Sequence, residues 1–321
     1  MLLSILYTWA LVPFACSISL WQKASLNHLN EPPPESMMPK GIQPGITWCK
    51  FINQGSKTGA SVNTDIIAII DSRQWQGSDS QLENIAFYIA DGEVIPKDTL
   101  KKTRLVEIPD GPKVSDRIKE IKKIHPGIVI AIRVELTSEG VERAIKLAES
   151  KEVEVIHIVA DANGSEIGST SSLQVGAQKP RFIKEMTRYI HTTLIEKGCR
   201  DEITLMAGGG IALPEHMAKE IICGADLITI NLPLLIGLEC RLCYSCKPGM
   251  VCPAKLEKID INYGVGRMTN LIAAWHDQLI EMMGAMGMRE VRRLRGDVGR
   301  AMFFENLEEE TFGKLFGSRK N

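Results

Sequence analysis

The sequence predicts an α/β protein of the (β/α)8, TIM-type barrel class, with a cysteine-rich iron–sulfur loop and a C-terminal helical extension. Three observations carry that expectation. Short apolar runs alternate with amphipathic helical stretches from residue 104 to residue 230, which calls for parallel strands joined by right-handed crossovers. The glycine triplet Gly208, Gly209 and Gly210 follows a late strand rather than the first. A doubly wound nucleotide binder places its glycine turn after the first strand, whereas a barrel makes a phosphate site from its last strand–helix loops. Four of the eight cysteines (Cys240, Cys243, Cys246, Cys252) then follow the last strand in the spacing C-x2-C-x2-C-x5-C, with Pro253 directly after.

The elements are legible in order. Stretches 65–70 and 85–90 are short, apolar and rich in β-formers, and read as strands. A strand is expected at 105–108, then a helix marked by Ile118, Ile121 and Ile124 and stopped by Pro126-Gly127. The run 128–134 (IVIAIRV) reads as a buried strand. Ser138 is placed to cap the next helix, whose stripe is Val141, Ala144, Ile145 and Ala148. After a strand at 153–159, a Gly/Ser/Thr-rich loop spans 161–176, and a helix from Pro180 carries Phe182, Met186 and Ile190 on one face. A strand at 203–207, the glycine turn, a helix from Pro214 closed by Gly224 and a strand at 227–230 complete the series. Beyond the cysteines, Met268, Leu271, Ile272, Trp275, Leu279, Met282, Met283 and Met286 recur at helical spacing and read as core packing. The basic stretch 289–300 reads as a solvated face beside the acidic run 305–310, or as a dock for an acidic electron carrier.

Composition bounds the function classes. At 321 residues the chain can bury one large core or two ordinary ones. Hydrophobic residues make up 44%, charged residues 24%, and the net charge is −1, so there is no electrostatic case for nucleic acid. The first twenty residues carry no charge, which leaves three readings open: a membrane anchor, an apolar extension packed on the body, or a cleaved signal. Stretch 31–45 (EPPPESMMPKGIQPG) reads as a linker. The expected organisation is an N-terminal segment and linker over 1–45, a barrel over 46–239, and the cysteine loop with helical region over 240–321. Cys16, Cys49, Cys199 and Cys223 are scattered and suggest no disulfide framework, so a cytoplasmic location is expected, with membrane association through residues 1–20 left open.

The candidate chemistry follows from residue type and place. Four thiolates at this spacing converge only when the backbone loops around something, an iron–sulfur cluster by the C-x2-C-x2-C…C-P rhythm, or else zinc; a pair of disulfides and a chance run of buried thiols are the competing readings. The glycine turn lets backbone N–H groups approach an anion. Arg133 interrupts an apolar strand, so it meets either a core acid or a ligand. His157, between Ile156 and Ile158, reads as a core histidine or a catalytic one.

These residues resemble a known family. GADLITINLPLLIGLECRLCYSCKPGMVCP is similar to the end of the FMN-binding domain of glutamate synthase. MAGGGI resembles its phosphate turn, HPGIVIAIRVELTSEGV the strand bearing its flavin-facing lysine, and VIHIVADANGSEIG the loop after it. AMGMREVRRLRG resembles its closing helix. The resemblance implies an FMN barrel with a 3Fe-4S or 4Fe-4S cluster that reduces 2-iminoglutarate, from 2-oxoglutarate and ammonia, to L-glutamate. It implies Gly208, Gly209, Gly210, Asn231, Asn163 and Gly164 at the cofactor, Arg133 and Glu135 as catalytic groups, and Cys240, Cys246 and Cys252 at the cluster, with Cys243 an added thiol. Electrons would come from a ferredoxin or separate reductase, and nitrogen from free ammonia or a glutaminase subunit. Three positions depart from the family: Arg133 stands for lysine, DANGSE for HDGGTG, and Asn231-Leu232 for Gly-Thr. They keep two alternatives open, a related redox barrel with another substrate and a non-catalytic electron-transfer or regulatory subunit.

Overall fold

The computed structural model describes residues 18–20, 60, 63, 66–75, 82, 84–167, 181–242 and 252–297. Eight parallel strands close into a barrel in sequence order. They are β1 (Ile18–Leu20), β2 (Ile67–Asp71), β3 (Ile85–Tyr88), β4 (Leu105–Pro109), β5 (Val129–Glu135), β6 (Val155–Val159), β7 (Thr204–Gly208) and β8 (Leu227–Ile230). The strands are short continuous apolar runs because both faces are covered, by helices outside and by the barrel interior inside. Alternation still sorts them. On β5, Ile130, Ile132 and Val134 face the helices, while Ala131 and Arg133 face inward.

The closing strand is the main revision of the domain reading. β1 falls inside the 1–45 segment set apart from the barrel, and pairs Ile18 with Ile228 and Ser19 with Ile67. Its three residues carry no period that a sequence pattern could reveal. Among the described residues, no helix is long and apolar enough to cross a membrane.

The described helices are α1 (Lys97–Lys102), α2 (Val114–Ile124), α3 (Ser138–Ser150), α4 (Ile183–Glu196), α5 (Pro214–Ile222), α6 (Leu232–Gly237) and α7 (Ile261–Ala285). Expected boundaries move for local reasons. Thr137, not Ser138, caps α3, because Thr137 has extended backbone and its Oγ1 accepts from Gly140 N at 2.9 Å. α4 starts at Ile183, so its buried stripe runs through Ile183, Met186, Ile190 and Leu194, and Phe182 stays outside it. α7 begins seven residues before Met268. Gly264 and Gly266 lie within its first turns, and Asp260 starts the helix by accepting from Tyr263 N at 2.9 Å. Its buried face of Met268, Ile272, Trp275, Leu279 and Met283 is the core packing expected.

The N-terminal pole of the barrel is tied by charge. Arg200, 4% exposed, donates to Gly224 O, Ile203 O, Asp226 Oδ2 and His191 Nδ1, all within 2.9 Å. Arg295, from the turn after α7, reaches Asp226 at 2.6 Å and Asp201 at 3.0 Å. Part of the basic 289–300 stretch is thereby a latch on the barrel, and the acidic run 305–310 lies outside the described residues.

Candidate active site at the mouth of the barrel

The C-terminal ends of the strands form the mouth, where function sits in barrels of this kind. Four of the expected positions lie there on strand ends or just past them: Arg133 and Glu135 on β5, Gly208 on β7, and Asn231 after β8. Gly209 and Gly210 continue from β7, and Asn163 and Gly164 lie in the loop after β6.

The two loops fit closely. Gly209 and Gly210 have φ of +103° and +69°, and a Cβ on Gly210 would stand 2.5 Å from Gly164 Cα. Their lack of side chains is therefore needed first for loop-on-loop packing. Among the described residues, no hydrogen bond uses the amides of Gly209, Gly210 or Ile211, which leaves a row of donors before α5. Gly208 has a different task. It is buried in β7, and a Cβ there would stand 1.9 Å from Thr229 Oγ1. Asn163 is exposed and Gly164 buried.

Arg133 is 2% exposed, and its guanidinium carbon lies 5.9 Å from the centre of the Tyr88 ring. Burial pushes the Tyr88 phenol up to about 12, partly offset by the Arg133 cation. Glu135 lies on the same inward face two residues on and is half-buried. Among the described residues, the Oδ1 of Asn231 is buried without a hydrogen-bond partner, as is the Oδ2 of Asp161. A buried acceptor left open costs about 1–3 kcal/mol, so these two atoms mark where a ligand's donor would be welcome. Burial raises the Asp161 carboxyl, against hydrogen bonds from Ser165 and Asn163.

Sequence reading missed the polar filling below the mouth. His157 Nδ1 is bonded to the Glu107 carboxylate, and its Nε2 lies 3.1 Å from Thr229 Oγ1. Glu107 and His157 have no exposed surface. Burial lowers the imidazole pKa, against the upward pull of Glu107. Of the three, only His157 carried a signal, as a polar residue inside an apolar run. Glu107 and Thr229 each looked like one polar residue in a half-buried strand.

Of the expected cluster ligands, Cys240 and Cys252 are described, and Cys243 and Cys246 lie outside the described residues. Cys252 is 5% exposed and Cys240 half-buried. Among the described residues no three metal-binding side chains converge. Backbone strain does gather at this stretch. Of the four non-glycine residues with positive φ among the described residues, three lie in or beside it: Glu239 at 68°, Leu242 at 48° and Lys255 at 52°. Such residues cost on the order of 1–3 kcal/mol each and persist where surroundings impose them.

Comparison with known proteins places this geometry. Residues 81–289 match the conserved region in glutamate synthase. The archaeal glutamate synthase (NADPH) of Methanocaldococcus jannaschii is 34% identical over 111 residues, covering 32% of this chain and 22% of that protein. The archaeal-type glutamate synthase (NADPH) of Dehalococcoides mccartyi is 31% identical over 115 residues, covering 34% and 23%. The chain thus spans about a fifth of the length of these curated relatives. Among solved structures, a mutant flavocytochrome b2 with pyruvate bound superposes with a TM-score of 0.54 at 14% identity, over 92% of this chain and 73% of that one. The recombinant flavin-binding domain of baker's yeast flavocytochrome b2 gives 0.51 at 14%, over 94% and 74%. At such identities the likeness is one of fold. With the family match extending over most of the barrel and into the helix beyond the cysteines, the chain belongs to the glutamate synthase family, by its conserved region.

Proposed function

We propose that the barrel binds FMN at its mouth, carries an iron–sulfur cluster on the 240–252 stretch, and reduces 2-iminoglutarate to L-glutamate. The observation that carries the reading is the row of uncommitted amides at Gly209, Gly210 and Ile211, set on the last loops of a barrel of this family. The residues present fit the cofactor. Those amides would take its phosphate. Arg133 would stabilise negative charge on the flavin ring, and the open Oδ1 of Asn231 would accept from one of its N–H or O–H groups. When bound, FMN would supply hydride transfer.

The chain's own groups define the rest. Arg133 presents a planar fork where an ammonium is the family habit, suited to a carboxylate of the substrate as well as to the flavin. Glu135, half-buried beside it, is placed to exchange protons at the mouth. Gly164 seats Gly210 and so fixes the turn. Cys240, Cys243, Cys246 and Cys252 would hold a 3Fe-4S or 4Fe-4S cluster, and the strain at Glu239, Leu242 and Lys255 supports a loop shaped around such a body. A ferredoxin or separate reductase would supply electrons, and free ammonia or a glutaminase the nitrogen.

A second reading, another imine or a carbonyl as substrate, is favoured by one observation: the loop that loses two family glycines, at Asn163 and Glu166, begins with Asp161, a buried carboxylate whose Oδ2 is open among the described residues. Anaerobic purification followed by assay of flavin, iron and sulfide per chain tests the cofactors. One flavin with three or four irons is expected. Iron and sulfide without flavin would instead identify an electron-transfer subunit. Glutamate formed from 2-oxoglutarate and ammonia with a reduced dye then separates the two substrates.

A further inference from the structure

The inner layers of a barrel of this kind are ordinarily filled by Val, Ile and Leu. Here three polar groups replace part of that filling. Glu107 on β4 is bonded to His157 on β6, and His157 is bonded in turn to Thr229 on β8. Thr229 is 4% exposed and the other two are completely enclosed. A buried charge costs several kcal/mol even when paired, so an apolar layer would be the more stable filling. The strand between is cleared for the chain of bonds. A Cβ on Gly208 would stand 1.9 Å from Thr229 Oγ1 and 3.2 Å from His157 Nε2. Thr229 lies two residues before Asn231 and pairs with Gly208, the first residue of the glycine turn. The three lie on alternate strands and so form one layer across the barrel, which Thr229 joins to Gly208 and, two residues on, to Asn231.

We infer that Glu107, His157 and Thr229 store a proton and relay it to the substrate at the barrel mouth, an inference that rests on the FMN reading above. Reduction of a C=N or C=O bond consumes one hydride and one proton. In the loaded state Glu107 is the acid, His157 accepts at Nδ1, and its Nε2–H donates to Thr229. On transfer, the Thr229 hydroxyl proton passes to the substrate nitrogen or oxygen. The Thr229 oxygen takes the Nε2 proton, and Nδ1 takes the Glu107 proton. Glu107 is left a carboxylate bonded to Nδ1–H, with Nε2 accepting from Thr229. No electron passes through the three groups, and water at the mouth restores the proton as the electron carrier restores the electrons.

The surroundings suit a ring that changes tautomer and does not become a cation. Burial holds the His157 pKa down, and the Arg133 cation on β5 opposes a second positive charge. Tyr88 on β3 and Asp71 on β2 also face this space, with Asp71 already held by Arg73 at 2.7 Å. Negative charge arriving at the mouth on reduction would draw the proton onto Glu107.

Proton uptake during photoreduction of the bound flavin, followed with an indicator in weak buffer, tests the relay. The native protein is expected to take up one proton more per electron pair than Glu107→Gln or His157→Gln. Glu107→Gln still accepts from Nδ1–H, so it serves where the histidine variant does not fold. Thr229→Val should slow the uptake about a hundredfold or more, the usual worth of a positioned proton donor, and Thr229→Ser should restore it. Equal proton counts and rates in flavin-loaded native and variant proteins would overturn the relay. A native protein that binds no flavin would overturn the cofactor reading beneath it, and the relay with it.

Discussion

Two buried histidines, one at the N-terminal pole of the barrel and one in its interior below the mouth, make the comparison that explains this molecule. His191 on α4 accepts a hydrogen bond from Arg200 at 2.9 Å, in the network that ties Asp226 and Arg295. Burial, then the Arg200 and Arg295 cations, hold its pKa down at about 4. His157 is also held down by burial, but its neighbour is a carboxylate. A histidine facing a permanent cation can only remain a neutral acceptor. A histidine facing a carboxylate can share a proton. The first arrangement is a fastening at the N-terminal ends of the strands, where barrels place stability, and the second a device in the layer below the mouth, where they place chemistry.

Substitutions should separate the poles. Arg200→Ala has the largest expected effect on stability, about 3–5 kcal/mol in urea unfolding, because it removes at once the buried donor to two carbonyls, to His191 and to one oxygen of Asp226. Flavin content of the surviving folded protein should be unchanged, and a loss in proportion to stability would erase the distinction. Glu220 on α5 probes the outer shell between the poles. It is buried, bonded to Thr187, and pushed up to about 7 by desolvation. Its folded pKa lies above the unfolded value of 4.5, so the native state holds the extra proton. Its contribution is complete below the unfolded value and is lost as pH rises through the folded one. The native protein should lose on the order of 3 kcal/mol between about pH 5 and about pH 9 from this group, and Glu220→Gln should flatten that slope.

Gly210→Ala should act at the mouth. Its Cβ would meet Gly164 Cα at 2.5 Å, a backbone contact that cannot yield cheaply. A cost of about 2 kcal/mol and a loss of flavin of at least about tenfold are expected, read by calorimetry and flavin titration. Arg295→Ala sharpens the opposite pole with the smallest effect, about 1 kcal/mol, since Arg295 is 23% exposed and Asp226 keeps Arg200. A melting temperature unchanged by that variant would show the latch to be idle.

The sequence revealed the parts that obey a period. Strands from β2 to β8 appear as apolar runs, and α2, α3 and α7 as stripes, because burial on a fixed face leaves a repeating mark. The glycine turn and Arg133 were legible as exceptions to those patterns. The relay was not, because Glu107, His157 and Thr229 lie 50 and 72 residues apart and meet only when the barrel closes. Asp161 and Asn231 were visible as residues, but an open acceptor is a property of packing. β1 was hidden for the opposite reason, since three residues are too few to repeat anything.

That short strand has a consequence for how the molecule is made. Ile18 must find Ile228 across most of the chain, whereas neighbouring strands elsewhere are linked through one crossover. Loop-closure entropy makes such a pairing slow and late. Newly synthesised protein would thus pass through an open, curled sheet with two bare edges, β2 and β8, before the ring shuts. Pulsed hydrogen exchange should find amides of β5 and β6 protected well before those of β8, and the interval between them is when the chain is most exposed to a partner that binds sheet edges.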